Sequence, residues 1–189
     1  NAQRYSPGYY SDIDGYSELA FNTDSKLYKY FKANEKDCRS KLVVYQNTKK
    51  DDGSIDKEGY FPKKYPGRNG EIYVNNPKII RLSEVYLIAA EASYYISGGA
   101  AAAPYINEIE KNRVEGYKDK ASVTLDDILF EYEKEMFQEN QIAFAYWRNK
   151  KSVTSQVNKV VNYDDARTVL PLPKSELDQN KDLQQNDGY

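Results

Sequence analysis

The clearest pattern in the chain is an apolar residue at every third or fourth position across its centre. This spacing continues to about Tyr95 and is formed by Leu82, Val85, Tyr86 and Ala89. It predicts an amphipathic helix with one apolar side. Gly98-Gly99 predicts the end of that helix, and Pro104 suits the first turn of a second one that runs to about Val114. The two helices form a predicted antiparallel pair with the spacing of one tetratricopeptide unit.

A longer apolar stripe follows this pair. Thr124 and Asp127 have the Ser/Thr-x-x-Asp/Glu spacing of a helix start, in which the threonine caps free backbone N–H groups. Behind them, one long helix is predicted by a stripe of Leu125, Ile128, Leu129, Tyr132, Met136, Ala143 and Trp147. Trp147 is therefore expected in the core. Residues 150–166 are predicted to be a polar loop, and Leu170-Pro171-Leu172-Pro173 to be extended because proline disfavours helix in the residue before it.

The first 76 residues show weaker periodicity and many Gly, Asp, Asn and Lys residues. A short helix is predicted from Lys26 to Ala33 and a short strand over residues 42–45. Residues 49–76 are predicted to be mostly irregular. We therefore expect a mainly α fold, in which a Tyr-rich loop region (residues 1–76) precedes a helical C-terminal region (residues 77–189) of the same domain. The helical region holds the tetratricopeptide-like pair and the long helix.

Composition narrows the chemistry mainly by what is missing. The 189 residues include no His, which excludes Ser-His-Asp and Cys-His catalysis and His-ligated metal sites. The single Cys38 permits no internal disulfide, and we expect it to be a small packing residue, with a reactive thiol as the alternative. A net charge of −2 argues against nucleic-acid binding. No apolar run of roughly 18 residues could span a bilayer, and a leader or anchor upstream of Asn1 is left open.

The acidic residues of the third helix could suggest catalysis. Three glutamates recur every four residues: Glu131, Glu135 and Glu139. Paired carboxylates can hydrolyse glycosidic bonds, but they must flank a cleft at about 5 to 9.5 Å from each other. A row on one helix face does not supply that arrangement, so we predict an ion-paired face, with Lys134 and Arg148 nearby. For Arg81 we likewise favour pairing with an acid of a neighbouring helix over ligand contact. No catalytic residue, metal site or cofactor is predicted.

Tyrosine is the compositional outlier, with 19 Tyr against 6 Phe and 1 Trp. A tyrosine ring has an apolar face and a polar tip. Such rings suit sugars, whose C–H faces stack on aromatics while their hydroxyls seek hydrogen bonds. Most of the 19 are expected to pack between helices. The candidates for ligand contact are aromatic residues in irregular, polar segments, namely Tyr9, Tyr10, Tyr16, Tyr60, Phe61 and Tyr65.

Several segments resemble motifs of the SusD/RagB family. In that family the last tetratricopeptide-like helix begins Arg-Leu-x-Glu-x-Tyr-Leu-x-x-Ala-Glu-Ala, which residues 81–92 fit throughout. Residues 106–113 resemble the start of the family's next helix, and Asp37-Cys38-Arg39 resembles its Asp-x-Arg. The tail over residues 170–189 fits closely, with Asp187 where the family usually has Pro.

The family's long helix usually reads Glu-Leu-x-Phe-Glu-Gly-x-Arg and then Asp-Leu-x-Arg. The matching residues are Glu135, Met136, Glu139 and Arg148. Three positions depart from it, because Asn140 replaces the Gly, Ile142 an Arg and Ala145 an Asp. We interpret these as positions of internal packing and ion pairing, and expect a re-packed core there.

The resemblance implies a non-enzymatic nutrient-capture protein of a Bacteroidetes-type outer membrane. Such a protein faces the cell surface and is lipid-anchored upstream of this chain. It would bind an oligosaccharide at an aromatic surface and pass it to a TonB-dependent, SusC-like transporter, without a cofactor and without nucleic acid. One alternative is a peptide-binding member of the same family. Another is a helical-repeat scaffold that binds a second protein through the Ala-rich helix pair.

Overall fold

The computed structural model describes residues 13, 20–71, 74–76, 78–154 and 159–189. The fold is mainly helical, as predicted. Contacts divide the chain into two compact units, Asn1–Ile142 and Ala143–Tyr189. This division differs from the predicted boundary between residues 76 and 77, which stays a prediction. No helix within the described ranges is long and apolar enough to cross a membrane.

Helix α1 (Lys26–Ala33) has the bounds that the sequence predicts. It follows Ser25, whose side-chain oxygen accepts a hydrogen bond from the Tyr28 amide at 3.2 Å. This bond satisfies a backbone donor that has no partner inside the helix. The buried side of α1 joins a small aromatic core that consists of Phe21, Leu27, Phe31 and Phe137.

A β-hairpin follows α1. Strand β1 (Val43–Lys49) pairs antiparallel with strand β2 (Ile55–Pro62), and their register places Tyr45 opposite Tyr60. The predicted strand over residues 42–45 is therefore confirmed. The prediction that residues 49–76 are mostly irregular is wrong for β2.

The turn residues indicate a hairpin, although the sequence of β2 itself does not. The Asp52 side chain accepts a hydrogen bond from the Ser54 amide at 2.9 Å, and Gly53 adopts a φ of +83°. An Asp-Gly pair of this kind is a strong hairpin signal. The first four residues of β2 are all exposed, so its sequence lacks the apolar–polar alternation of a half-buried strand. The polar composition of this segment therefore predicts irregular structure, although the turn residues indicate a hairpin.

Helices α2 (Leu82–Ser97) and α3 (Gly99–Lys111) form the predicted pair. Gly98 and Gly99 connect the two helices, and glycine is needed at each position for a different reason. Gly98 has a φ of +81°, which L side chains rarely adopt. At Gly99 the constraint is space, because a Cβ atom would lie 2.0 Å from the carbonyl oxygen of Val123.

Helix α3 begins five residues before Pro104, so the prediction that this proline occupies its first turn is wrong. Residues 100–103 are all alanine, the strongest helix former, and they extend the helix towards its N-terminus. Pro104 then lies inside the helix at the cost of one backbone hydrogen bond. The Tyr86 and Tyr105 rings, with centroids 6.3 Å apart, meet between α2 and α3.

Helix α4 (Leu125–Met136) begins with the predicted cap. The Thr124 hydroxyl accepts a hydrogen bond from the Asp127 amide at 3.1 Å, and the Asp127 carboxylate accepts one from the Thr124 amide at 2.8 Å. This reciprocal capping box satisfies two backbone donors.

The predicted single helix from Thr124 to Trp147 is wrong. The structure has a second helix, α5 (Ile142–Arg148), after a break. Gln138 and Asn140 have φ values of +64° and +57°, which stop an α-helix. Asn140 stands where the SusD/RagB motif carries Gly. That position is therefore one of left-handed backbone and not, as expected, one of packing or ion pairing.

The capping box gives a test of helix α4. We expect Thr124→Ala to lower the free energy of unfolding by about 1 kcal/mol, because it leaves an Asp127 amide without its acceptor. Thr124→Ser keeps the hydroxyl and is the matched control. Urea unfolding followed by circular dichroism measures both variants. Equal losses in the two would contradict the assigned role of the hydroxyl.

The second unit contains short elements. Strands β3 (Val153–Thr154) and β4 (Val160–Val161) pair antiparallel within the segment predicted to be a loop, and helix α6 (Lys174–Gln179) follows. The extended Leu-Pro-Leu-Pro segment is held by the tail, because the Gln185 side chain bonds the Leu172 amide and carbonyl at 2.8 and 3.0 Å. Trp147 is half-buried and packs edge to face against Phe144 at 5.9 Å, which differs from the expected core position.

Candidate functional site

Three tyrosines meet on one side of the hairpin. Tyr45 of β1 and Tyr60 of β2 are directly opposite each other and therefore share a face of the sheet, with ring centroids 5.4 Å apart. Tyr28 of α1 packs edge to face against Tyr60 at 5.0 Å. We call these three residues the tyrosine face.

Polar groups surround the tyrosine face. The Tyr45 hydroxyl donates a short hydrogen bond to the Glu58 carboxylate, and Asn47 lies opposite Glu58 in the strand register. The Lys32 ammonium lies 4.9 Å from the centroid of the Tyr60 ring. Ring faces, a carboxylate, an amide and an ammonium are thus available on one surface. This is the combination of apolar planes and hydrogen-bonding groups that a sugar requires.

The tyrosine face has rigid support. Tyr28 and Tyr60 are half-buried and pack against the aromatic core, while Tyr45 is 42% exposed. The Phe21 amide donates a 2.7 Å hydrogen bond to the Tyr60 carbonyl oxygen, which ties β2 to the chain that precedes α1. Rings fixed in this way lose little conformational freedom when a ligand binds.

The six predicted ligand contacts have different positions. Tyr9, Tyr10 and Tyr16 lie outside the described residues. The described residues that flank Tyr16 both bond to the hairpin: the Ile13 amide donates to the Gln46 side chain at 3.1 Å, and Phe21 bonds to Tyr60 as above.

The other three predicted contacts are described. Tyr60 belongs to the tyrosine face. Phe61 and Tyr65 are only 2% and 7% exposed, so neither ring offers a face for stacking in this structure. Phe61 follows Tyr60 in the strand, and its side chain therefore points to the opposite side of the sheet. Neither Phe61 nor Tyr65 belongs to the tyrosine face.

The ligand contacts predicted from the sequence do not include Tyr28, Tyr45 or Lys32. Tyr45 was assigned to a strand without a partner, and helix α1 was not connected with it. The Asp52-Gly53 turn could have indicated the hairpin, and a hairpin would have placed Tyr45 beside Tyr60. No local signal connects α1 with the hairpin, because the two meet through the aromatic core.

A buried network of charges lies on another side of the first unit. Arg39 bonds to both oxygens of Asp37, with Nε–Oδ1 and Nη2–Oδ2 distances of 2.9 and 2.8 Å. Its Nη1 also donates to Glu131 at 2.6 Å and to Glu135 at 2.8 Å. Lys134 makes short contacts with Glu110 and Glu131. The predicted ion-paired face of the third helix is confirmed.

Glu135 is the centre of this network. Its Oε1 accepts hydrogen bonds from Arg39 and from Arg113 Nε, both at 2.8 Å, and its Oε2 accepts one from Arg81 Nη1 at 3.1 Å. Arg81 Nε also donates to Glu139 at 3.0 Å. The predicted pairing of Arg81 with an acid of a neighbouring helix is confirmed.

The pKa values of Glu135 and Glu131, the two central acids of the network, are shifted in opposite directions. Burial alone would raise the pKa of Glu135, but the hydrogen bond from Arg113 and the charge of Arg39 lower it to about 2. For Glu131 burial prevails, and although Arg39 opposes the change, its pKa rises to about 7. Both carboxylates are occupied by cationic side chains, which makes them structural groups.

A cavity of about 320 Å³ adjoins the network. Its walls include Cys38, Arg39, Leu42, Lys64, Lys78, Arg81, Arg113, Lys134, Glu135 and Phe137. Cys38 is exposed, so the prediction that it is a packing residue is wrong. The Cys38 amide donates to the Arg113 carbonyl at 2.8 Å, while Asp37 and Arg39 on either side are buried. This alternation turns the thiol outward.

Comparison with known proteins gives one family. The model of the SusD family (SusD_RagB) matches residues 4–189. Among curated proteins no match was found.

Solved structures give the same result. A SusD superfamily protein from Bacteroides vulgatus is 30% identical with a TM-score of 0.75, over 99% of this chain and 43% of its own. A proposed sugar binding protein from the same organism is 29% identical with a TM-score of 0.72, over 97% and 42%. Surface glycan-binding protein A from Bacteroides uniformis shares the fold at 23% identity and a TM-score of 0.56, over 84% and 40%. The chain thus spans less than half the length of these proteins.

Proposed function

Because the chain belongs to the SusD family, we propose that it is part of a glycan-binding component of an outer-membrane uptake system. One similar protein is named for proposed sugar binding, and a more distant one with the same fold is named as a surface glycan-binding protein. The tyrosine face is the observation in this chain that carries the proposal. It combines exposed ring surface with polar groups on a rigid support.

The proposed mechanism is binding without chemistry. A pyranose ring stacks its C–H face on Tyr45, the most exposed of the three rings that form the tyrosine face. Hydroxyls of the sugar bond with Asn47 and Glu58 beside that ring. No step requires a proton transfer. Glu131 and Glu135, the acids that could suggest hydrolysis, are held by Arg39 and cannot flank a substrate.

Capture is useful to a cell only if the ligand then crosses the membrane. We therefore propose that the full-length protein faces the cell surface, is held there by a lipid anchor, and passes its oligosaccharide to a TonB-dependent, SusC-like transporter. Tyr9, Tyr10 and Tyr16 remain proposed ligand contacts.

The proposal predicts that Tyr45→Ala weakens glycan binding roughly two- to tenfold, since stacking on one ring contributes about 0.5–1.5 kcal/mol. Tyr163→Ala is a matched control, because Tyr163 is 43% exposed and Tyr45 is 42% exposed. Calorimetric titration with a panel of neutral and acidic oligosaccharides measures both variants. Unchanged glycan affinity in Tyr45→Ala would contradict the site. Binding of a peptide pool and of no glycan would favour the peptide-binding alternative.

One surface of the chain indicates further contacts with protein. The residues around α2 include large exposed apolar side chains, namely Ile79, Ile80, Leu82, Val85, Ile88, Tyr95 and Ile96. Exposed apolar rows of this kind mark contacts with other protein. We assign this one to packing against further parts of the SusD fold, since the two similar Bacteroides vulgatus proteins are more than twice as long as this chain. The scaffold alternative predicts instead that a separate protein binds there.

A further inference from the structure

Lys32 differs from the other lysines of helix α1 in what surrounds its ammonium group. Lys29 pairs with Asp24 at 3.4 Å, and the Lys26 ammonium lies 3.8 Å from the centroid of the Phe130 ring. Lys32 is exposed and lies over Tyr60, and within the part of the chain that the structure describes it pairs with no carboxylate. A cation is thus held at the edge of the tyrosine face with its charge not neutralised.

The position of this charge suits a second contact with a stacked sugar. An ammonium 4.9 Å from a ring centroid is attracted by the negative face of that ring. The contact restrains the flexible lysine side chain before any ligand arrives, which lowers the entropy cost of binding. A carboxylate or sulfate on a sugar that lies against Tyr45 and Tyr60 would come within reach of the ammonium. Neutral sugars would gain no such charge-assisted bond.

The acidic group on the same surface is Glu58, which already accepts one hydrogen bond. The Glu58 carboxylate accepts the hydrogen bond of the Tyr45 hydroxyl, which partly satisfies its charge at the hairpin side of the tyrosine face. Lys32 approaches the Tyr60 ring from the end of α1. An anionic sugar can therefore place its charged group towards Lys32 and its hydroxyls towards Glu58.

We propose that Lys32 makes the tyrosine face selective for acidic glycans, in which a sugar carries a carboxylate or a sulfate group. This inference rests on the proposed glycan-binding function and specifies its ligand class. Because the charge is at the surface, the preference should decrease as salt is added.

The test compares acidic and neutral probes on one protein. We expect oligogalacturonate or chondroitin sulfate oligosaccharides to bind roughly tenfold more tightly than maltooligosaccharides, the usual scale of a hydrogen bond to a charged group. Lys32→Gln should remove this difference. Lys29→Gln changes a neighbouring exposed lysine of the same helix and should preserve it.

The outcomes separate this inference from the proposed function. If maltooligosaccharides bind as tightly as the acidic probes, or Lys32→Gln keeps the preference, the acidic-glycan inference is wrong and glycan binding stands. If no oligosaccharide binds, both are wrong. A preference that disappears in Lys32→Gln, persists in Lys29→Gln and weakens from 50 to about 500 mM salt supports it.

Discussion

Glu135→Gln is expected to destabilise the protein by about 3–5 kcal/mol, the usual cost of removing one partner from a buried ion pair. The glutamate accepts hydrogen bonds from Arg39, Arg81 and Arg113. Glutamine keeps one acceptor oxygen but replaces the other with an amide that donates towards a guanidinium. Positive charge then remains buried without the carboxylate that neutralises it.

The control for this prediction makes the same chemical change at the surface. Glu108 forms an exposed pair with Lys111 one helical turn away. We expect Glu108→Gln to cost less than about 1 kcal/mol, because solvent screens such pairs. Urea unfolding midpoints of the wild type, Glu135→Gln and Glu108→Gln, measured under identical conditions, test this prediction. Losses of similar size in Glu135→Gln and Glu108→Gln would show that the network does not stabilise the fold.

The network also shows what could be predicted from the sequence and what could not. The row of three glutamates on one helix indicated ion pairing, and Arg81 was correctly expected to join an acid on another helix. No local pattern connects Arg39 with Glu131, which lies 92 residues further along the chain. Such a partner depends on how the elements pack, whereas helical spacing and caps are local.

The same distinction between local and long-range signals applies at the candidate site. The prediction took aromatic residues in polar, apparently irregular segments to be exposed. Phe61 and Tyr65 are in such a segment but are buried. Phe61 is buried because β2 turns one side towards the interior. Tyr45 was not a candidate because it was in a predicted strand. Exposure of an aromatic ring depends on which side of the hairpin carries it, and that side depends on the register.

Helix α1 connects the tyrosine face with the charged network. Tyr28 and Lys32 contribute to the tyrosine face, while the Tyr30 hydroxyl donates to Asp37 at 3.1 Å within the network. The Lys134 ammonium also lies 4.7 Å from the centroid of the Tyr30 ring. Helix α1 is thus held by a hydrogen bond and a cation–π contact with the network as well as by the aromatic core. We therefore regard the network as a support of the tyrosine face.

The second large effect is on the pH dependence of stability, because the pKa values of Glu135 and Glu131 are shifted in opposite directions. The folded-state pKa of Glu135 is about 2, below its ordinary value of 4.5. Its contribution to stability is therefore complete above 4.5 and is lost as pH falls towards 2. The folded-state pKa of Glu131 is raised to about 7. The stability that its protonation provides is present below 4.5 and is lost as pH rises through 7.

These two groups together predict a free energy of unfolding that rises with pH up to about 4.5 and falls from there to about 7. Protonation of Glu135 removes the same charge as Glu135→Gln, so that variant should have a flatter curve below pH 4.5. Glu131→Gln should flatten the curve above pH 4.5. Urea unfolding of the three proteins from pH 3 to about 8 measures each side of the curve. If Glu135→Gln keeps the wild-type slope below pH 4.5, the three arginines do not hold Glu135 in its charged form.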